Sequence, residues 1–156
     1  MERASLKSAE LSEATFVDAN LAKAVLKGAV LSNASFGNCL LDEADLSGVE
    51  AIKGYFSDTY FRGADLKKAN LTHSTMFHPD FSDSNLTSAD LRHTNITGIK
   101  LAGATLLNTD LRGATIFPED FQGINLTNVR LSKDQIRLLK PTHPELRGRS
   151  DTVAEC

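Results

Sequence analysis

The sequence predicts an all-β solenoid, and three observations predict it. From Leu6 to Ile136 every fifth residue is large and apolar, with one exception: of 27 positions, 16 are Leu, six Phe, three Ile and one Met, and only Ala51 departs. Two residues before each stands a mostly small side chain, as in Ala4, Ala9, Ala14, Ala19, Ala24, Ala29, Ala34, Cys39 and Ala44. The register holds without an insertion or a deletion. A helix repeats every 3.6 residues and a half-buried strand every two, so neither has this spacing. An unbroken short period means stacked repeats, each burying its apolar side against its neighbours.

The repeats themselves, such as Ala64-Asp65-Leu66-Lys67-Lys68 and Ala89-Asp90-Leu91-Arg92-His93, resemble the pentapeptide-repeat family, written A(D/N)LXX. The resemblance runs over about residues 4–131. It implies a right-handed quadrilateral β-helix with four pentapeptides per coil. The central residue and the one two before it point inward, and the other three point out.

Four steps per coil make a prediction that the sequence itself can meet. Positions twenty apart should stack in one column. The first column reads Leu6, Leu26, Leu46, Leu66, Leu86, Leu106, Leu126, and the second Leu11, Leu31, Ala51, Leu71, Leu91, Leu111, Leu131. The third reads Phe16, Phe36, Phe56, Met76, Ile96, Ile116, and the fourth Leu21, Leu41, Phe61, Phe81, Leu101, Phe121. All six inward Phe fall in the third and fourth columns. A period of 15 or 25 would mix them. The faces of the rod are numbered after these columns. Four large side chains fill each cross-section, so the second inward residue must be small to reach interior packing density. Coils stack at sheet spacing, so about six and a half of them give a rod about 31 Å long.

The expected organisation is a β-helix over 1–131, a C-terminal capping helix over 132–140 and a flexible tail over 141–156. Ser132-Lys133-Asp134-Gln135 fits a capping box, with Ser132 as N-cap, Gln135 at N3, and Leu131 and Ile136 as a hydrophobic staple. The helix should run over about 133–139 and stop at Pro141, with Leu138 and Leu139 covering the last coil. The N-terminal end shows no cap. Ala4 and Leu6 are already in register, so an open coil edge is expected there, with pairing to a second copy as one outcome.

The repeat weakens in three places. At Val49-Glu50-Ala51-Ile52-Lys53-Gly54 the large inward residue is lost, and Ile52 is expected to tilt inward. Phe77-His78-Pro79-Asp80-Phe81 and Phe117-Pro118-Glu119-Asp120-Phe121 lie 40 residues apart, hence two coils apart on one edge. Pro79 and Glu119 occupy slots that elsewhere hold Ala. An unpaired inward carboxylate is costly, so a bulge that turns Glu119 outward is expected. Phe77 and Phe117 take outward positions about 10 Å apart. Phe77, His78, Asp80, Phe117 and Asp120 are the candidate protein-contact patch; exposed aromatics beside acids have the makeup of a contact site.

Charge sharpens this asymmetry. Faces 1 and 2 balance, with eight acids and eight bases. Faces 3 and 4 carry Asp18, Asp42, Glu43, Asp58, Asp80, Asp83, Glu119 and Asp120 against Lys23, Arg62 and Lys100, a net of −5. Some pentapeptide-repeat proteins resemble duplex DNA in shape and charge, bind DNA gyrase and confer quinolone resistance. A duplex 31 Å long carries about 18 charges, far more than this side of the rod. Those members also favour Phe at the central position, where this chain has mostly Leu. Direct nucleic-acid binding is not expected, because there is no basic stripe with interleaved aromatics.

No catalytic constellation is legible. His73 and His93 are twenty apart and should stack on face 2, where two imidazoles could share a metal, but no third ligand is obvious. A rod filled with Leu and Phe leaves no substrate cavity. No catalytic, cofactor or metal residues are assigned. No apolar run approaches the length of a membrane span, and Met1 leads almost directly into the first repeat, without room for a signal peptide. The two cysteines, Cys39 inward and Cys156 at the last position, suggest a reduced, cytoplasmic setting. The expected function is a non-enzymatic scaffold that presents a rigid surface to another protein; the alternative is a gyrase-binding DNA mimic.

Overall fold

The computed structural model describes residues 1–149. Its chain is wound so that residues twenty apart lie side by side in parallel bridges. One ladder runs Ser5, Val25, Asp45, Asp65, Asn85, Thr105, and another Glu10, Val30, Glu50, Asn70, Asp90, Asp110, Arg130. At one place the bridging widens to three residues. There β1 (Thr75–Phe77) pairs with β2 (Asn95–Thr97), with Thr75 opposite Asn95, Met76 opposite Ile96 and Phe77 opposite Thr97.

Most repeats satisfy their backbone in the same way. Around Leu66, the central N–H donates to the Asn85 carbonyl of the next winding (2.8 Å), and the Lys68 N–H donates to Thr87 (3.1 Å). The Ala69 N–H closes the turn on the Leu66 carbonyl (3.0 Å), and the Asn70 N–H donates back to Val49 (2.8 Å). One donor per repeat is left over, the first turn residue. The Lys67 N–H is accepted by Asp65 Oδ1 at 3.1 Å. Asn70, Asp80, Asn85, Asp90 and Asp110 do the same for Thr72, Ser82, Thr87, Arg92 and Arg112. This is why Asp or Asn precedes the central residue: its short side chain reaches the N–H two positions on. The second turn residue takes a left-handed conformation, as at Asp18 (φ 58°), Lys68 (φ 57°) and His73 (φ 60°), the geometry a type II turn demands.

The inward columns form the core. Phe16, Phe36 and Phe56 stack with centroids 4.8 and 5.2 Å apart, and Phe61 and Phe81 stack at 4.5 Å with planes 5° apart. Ile52, expected to tilt inward beside Ala51, stays half-buried. The Phe56 ring lies over Gly54, where a Cβ would come within 2.5 Å of it. Some small slots hold hydroxyls, and most of these find acceptors, as when Thr59 Oγ1 donates to Phe36 (2.6 Å) and Thr109 Oγ1 to Leu86 (2.7 Å); the buried Ser84 hydroxyl does not.

The two ends differ. In the first winding Leu6, Leu11 and Phe16 are only partly buried. Among the described residues, the backbone N–H groups of Ser5, Glu10, Thr15 and Asn20 have no acceptor. At the other end α1 (Lys133–Leu139) starts with a complete capping box between Ser132 and Gln135. Gln135 also turns its amide onto the rod, donating to the Leu111 and Ala114 carbonyls at 2.7 and 2.8 Å. Ile136 and Leu139 are buried against the last winding; Leu138, expected to join them, faces solvent.

The expected flexible tail from residue 141 is instead packed as far as it is described. His143 and Leu146 are buried, the latter in a 3-10 turn over Pro144–Leu146. His143 Nε2 lies 2.8 Å from the Phe121 carbonyl, Glu145 Oε1 accepts from the Leu126 N–H (3.2 Å), and Arg149 Nη1 donates to the Leu126 carbonyl (3.2 Å). Glu145 thus takes up the Leu126 N–H, which a further winding would otherwise pair, while His143 and Arg149 add contacts to the Phe121 and Leu126 carbonyls that already close their own turns. Residues 150–156, including Cys156, lie outside the described residues.

Replacing Gln135 by Leu keeps the helix face apolar but removes two hydrogen bonds, leaving the Ala114 carbonyl without a donor while the Leu111 carbonyl keeps the Ala114 N–H at 2.9 Å. The expected loss is about 2–3 kcal/mol, read by urea denaturation; a loss below about 0.5 kcal/mol would show that the cap does not satisfy the edge.

Candidate protein-contact face

Face 3 consists of residues 14–18, 34–38, 54–58, 74–78, 94–98 and 114–118. These six segments contain no Lys or Arg. The bridges Thr15–Ser35–Tyr55–Thr75 and Asn95–Thr115, joined through β1 and β2, bring the segments into one continuous ladder. Its outward residues after the central position are Val17, Gly37, Ser57, Phe77, Thr97 and Phe117. Phe77 and Phe117 are 37% and 38% exposed, large values for aromatic side chains. Val17 and Tyr55, which were not part of the sequence-derived patch, are exposed on the same face. Gly37 brings them together: a Cβ there would sit 3.6 Å from Tyr55 Cε1 and 3.8 Å from Val17 Cγ2. A bare glycine in an outward slot beside two large neighbours was the signal that could have revealed this.

The acidic part of the predicted patch is divided. His78 is exposed, with Nδ1 3.4 Å from Asp58 Oδ1. Asp120 is half-buried, and its Oδ2 accepts from the Gly98 N–H at 3.1 Å. Asp80 does not belong to the surface. It is 8% exposed and binds the Ser82 N–H at 3.1 Å as a turn-satisfying side chain. Glu119 points to solvent as expected, from a 3-10 turn over Pro118–Phe121. Pro79, in the matching slot two windings back, makes no such bulge. Pro79 is buried in its small slot, and the Tyr60–Asp80–Lys100 bridges on its far side keep register.

The reason is positional. Pro79 stands where a repeat normally closes its turn with an N–H, and the chain forgoes that bond by forming β1 instead. Ile99, in the slot one winding on, likewise makes no such bond beside β2. Pro118 stands at the second turn position, which needs a positive φ. A proline ring fixes φ near −65°, so the chain must leave the repeat there.

Other polar clusters read as ladder chemistry. Arg62 forks onto Asp42 through Nε (3.1 Å) and Nη2 (2.9 Å) and lies over the Tyr60 ring. On face 2, Arg92 and Arg112 fork onto Asp90 and Asp110 with Nη2 contacts of 2.7 Å, and Arg130 comes within 3.4 Å of Asp110. His73 and His93 stack with centroids 5.0 Å apart and planes 14° apart. Among the described residues no three His, Cys, Asp or Glu side chains come together as a metal-binding group. Cys39 is a buried free thiol whose pKa burial pushes up to about 12, which keeps it protonated and unreactive. No helix among the described residues is long and apolar enough to cross a membrane.

The comparisons with known proteins agree with this architecture. The family model for pentapeptide repeats matches in eight copies across residues 1–38, 9–48, 39–77, 54–92 and 79–116. The chain belongs to the pentapeptide-repeat family. Its fold is similar to that of a trypsin-treated form of QnrB1, a plasmid-mediated fluoroquinolone resistance protein. The TM-score is 0.65 and the identity 16%, over 88% of this chain and 71% of that one. It is also similar to a pentapeptide repeat protein from the Arabidopsis thaliana thylakoid lumen. There the TM-score is 0.56 and the identity 22%, over 74% of this chain and 67% of that one. No curated protein matches the chain.

Burial by itself raises the pKa of Asp110, but hydrogen bonds from Arg112 and the charges of Arg112 and Arg130 outweigh it and hold the carboxyl below its ordinary value. A carboxylate depressed on folding contributes stability above its unfolded pKa, and that contribution is lost as pH falls through the folded value. Thermal stability should therefore drop below about pH 4. In Asp110→Asn the drop between neutral pH and pH 3 should be smaller, as read by melting curves; an undiminished drop would show that Asp110 carries none of it.

Proposed function

We propose that the chain is a non-enzymatic scaffold, a right-handed, four-sided rod of about six and a half windings that offers a rigid face to another protein. The observation that carries this reading is the pairing of Phe77 and Phe117 on one ladder, exposed on a face without Lys or Arg. Aromatic side chains are the usual anchors of protein interfaces, and lone exposed ones need no such explanation. Backbone locked by bridges on both sides loses little entropy on docking. The contact zone proposed is Phe77, His78, Phe117 and Asp120, with Asp80 fixing the backbone beneath.

A second reading, a gyrase-binding DNA mimic, is favoured by the fold likeness to a fluoroquinolone resistance protein. At 16% identity that likeness extends to the fold alone, and a net of −5 on the acidic half stands against about 18 charges on a duplex of equal length. The open first winding, with four unpaired N–H groups, supports pairing with a second copy of the chain, which light scattering would read as a doubled mass.

The test is retention of partners from the native source on the immobilised wild-type chain and on a Phe77→Ser/Phe117→Ser variant. The scaffold reading expects one or a few proteins retained in stoichiometric amount, reduced about tenfold or more by the double change with melting temperature preserved. Retention of no protein would end it. Inhibition of gyrase supercoiling at micromolar chain would replace it with the second reading.

A further inference from the structure

Resting on the scaffold reading, we propose that face 3 is a docking strip for a basic amphipathic helix. Charge, size and backbone pairing each narrow the occupant.

The strip is apolar along its line and acidic at its margins. Val17, Tyr55, Phe77 and Phe117 supply the apolar contacts, and Thr15, Ser35, Thr75, Asn95 and Thr115 stand beside them as a polar row. Asp18, Asp58 and Glu119 are exposed around them, and Asp18 is held by Asn38 Nδ2 at 3.2 Å. Face 4 is mixed: six acids stand against Lys23, Arg62 and Lys100, a net of −3, and Glu43 is paired with Lys23 at 3.4 Å, while Asp83 is exposed. A second copy docked here would set acid against acid, which opposes it. A partner with Lys or Arg around an apolar stripe is complementary.

Size favours a single segment. Val17 and Phe117 are five windings apart, about 24 Å, and the strip is about 10 Å wide. That footprint of a few hundred Å² falls below the roughly 800 Å² per partner of a standard protein interface. A helix of about 16 residues spans about 24 Å.

Backbone pairing excludes an added strand. The ladder uses its own N–H and C=O groups on both sides, as in Phe36 N–H to Tyr55 (2.7 Å) and Tyr55 N–H to Ala34 (2.9 Å), so nothing along this face offers the edge that strand addition needs. Recognition must run through side chains. Helical residues seven apart are separated by about 10.5 Å, close to the separation of about 10 Å between Phe77 and Phe117. Two apolar residues at that interval would meet both rings.

The experiment titrates the isotope-labelled chain with a Leu/Lys peptide of about 16 residues and helical apolar spacing, matched in length to the strip, and with the same peptide carrying Glu in place of Lys. The expected result is binding of the Lys peptide, with amide shifts concentrated at Val17, Tyr55, Phe77 and Phe117 and weakened by added salt. Affinity should fall about tenfold or more in Phe77→Ser/Phe117→Ser. The Asp18→Asn/Asp58→Asn variant, which leaves every apolar contact in place, should also bind more weakly and lose part of the salt dependence. Shifts centred on another face, equal binding of the Glu peptide, or no binding at millimolar peptide would each overturn the strip. Those failures leave the scaffold reading standing, because it is judged by native protein retained on the chain; retention of no native protein ends the scaffold reading even where the peptide binds.

Discussion

The fold depends on one constraint: each residue must meet the residue twenty places away, in register, on both sides. The bridges supply the pairing and the inward columns fill the space, and neither survives without the other. A single-residue slip would turn inward side chains out and break the ladder at the same step. Five-residue steps therefore tolerate no insertion. The short Asp and Asn side chains matter for the same reason. Each takes the one donor that the turn leaves over, as Asp65 does for Lys67 and Asn70 for Thr72. With that donor satisfied, corners of the rod can be built from almost any outward residue.

The constraint also explains the ends. A ladder that is complete at every internal step must expose its pairing groups at the first and last. The C-terminal segment meets part of this with side chains: Gln135 donates to the Ala114 carbonyl and Glu145 accepts from the Leu126 N–H, the groups a further winding would pair, and His143 and Arg149 fasten the segment to the Phe121 and Leu126 carbonyls. Nothing comparable covers Ser5, Glu10, Thr15 and Asn20 among the described residues.

Much of this was legible in the sequence, because the period of five and its order-20 columns are written directly in residue types. The segregation of Phe16, Phe36 and Phe56 from Phe61, Phe81 and Phe121 foretold the ring stacks. Ser132 and Gln135 foretold the helix start, though not that the same Gln135 would reach across to Leu111 and Ala114. What escaped was side-chain reach and turn geometry. Next to Ala51, the Phe56 ring lies over Gly54, in space that any side chain there would have closed. Two prolines with similar neighbours behave differently, because only Pro118 falls where φ must be positive. Asp80 looked like a surface acid and is a buried turn acceptor. On face 3, Phe77 and Phe117 were visible as a pair, while Val17 and Tyr55 joined them only once Gly37 was seen beneath both.

Function follows from the same geometry. Along the rod the interior is filled and the backbone is paired, so what varies from face to face is the charge and apolar content of the side surfaces. Fold and surface alike rest on contact between residues twenty apart, and a double-mutant cycle measures that contact. Changing Phe61 and Phe81 to Leu, singly and together, should give a coupling of about 0.5–1.5 kcal/mol for the stacked pair. Phe36 and Phe81, in different columns, should be additive within about 0.5 kcal/mol. Additivity for Phe61 and Phe81, or equal coupling for both pairs, would contradict the twenty-residue register.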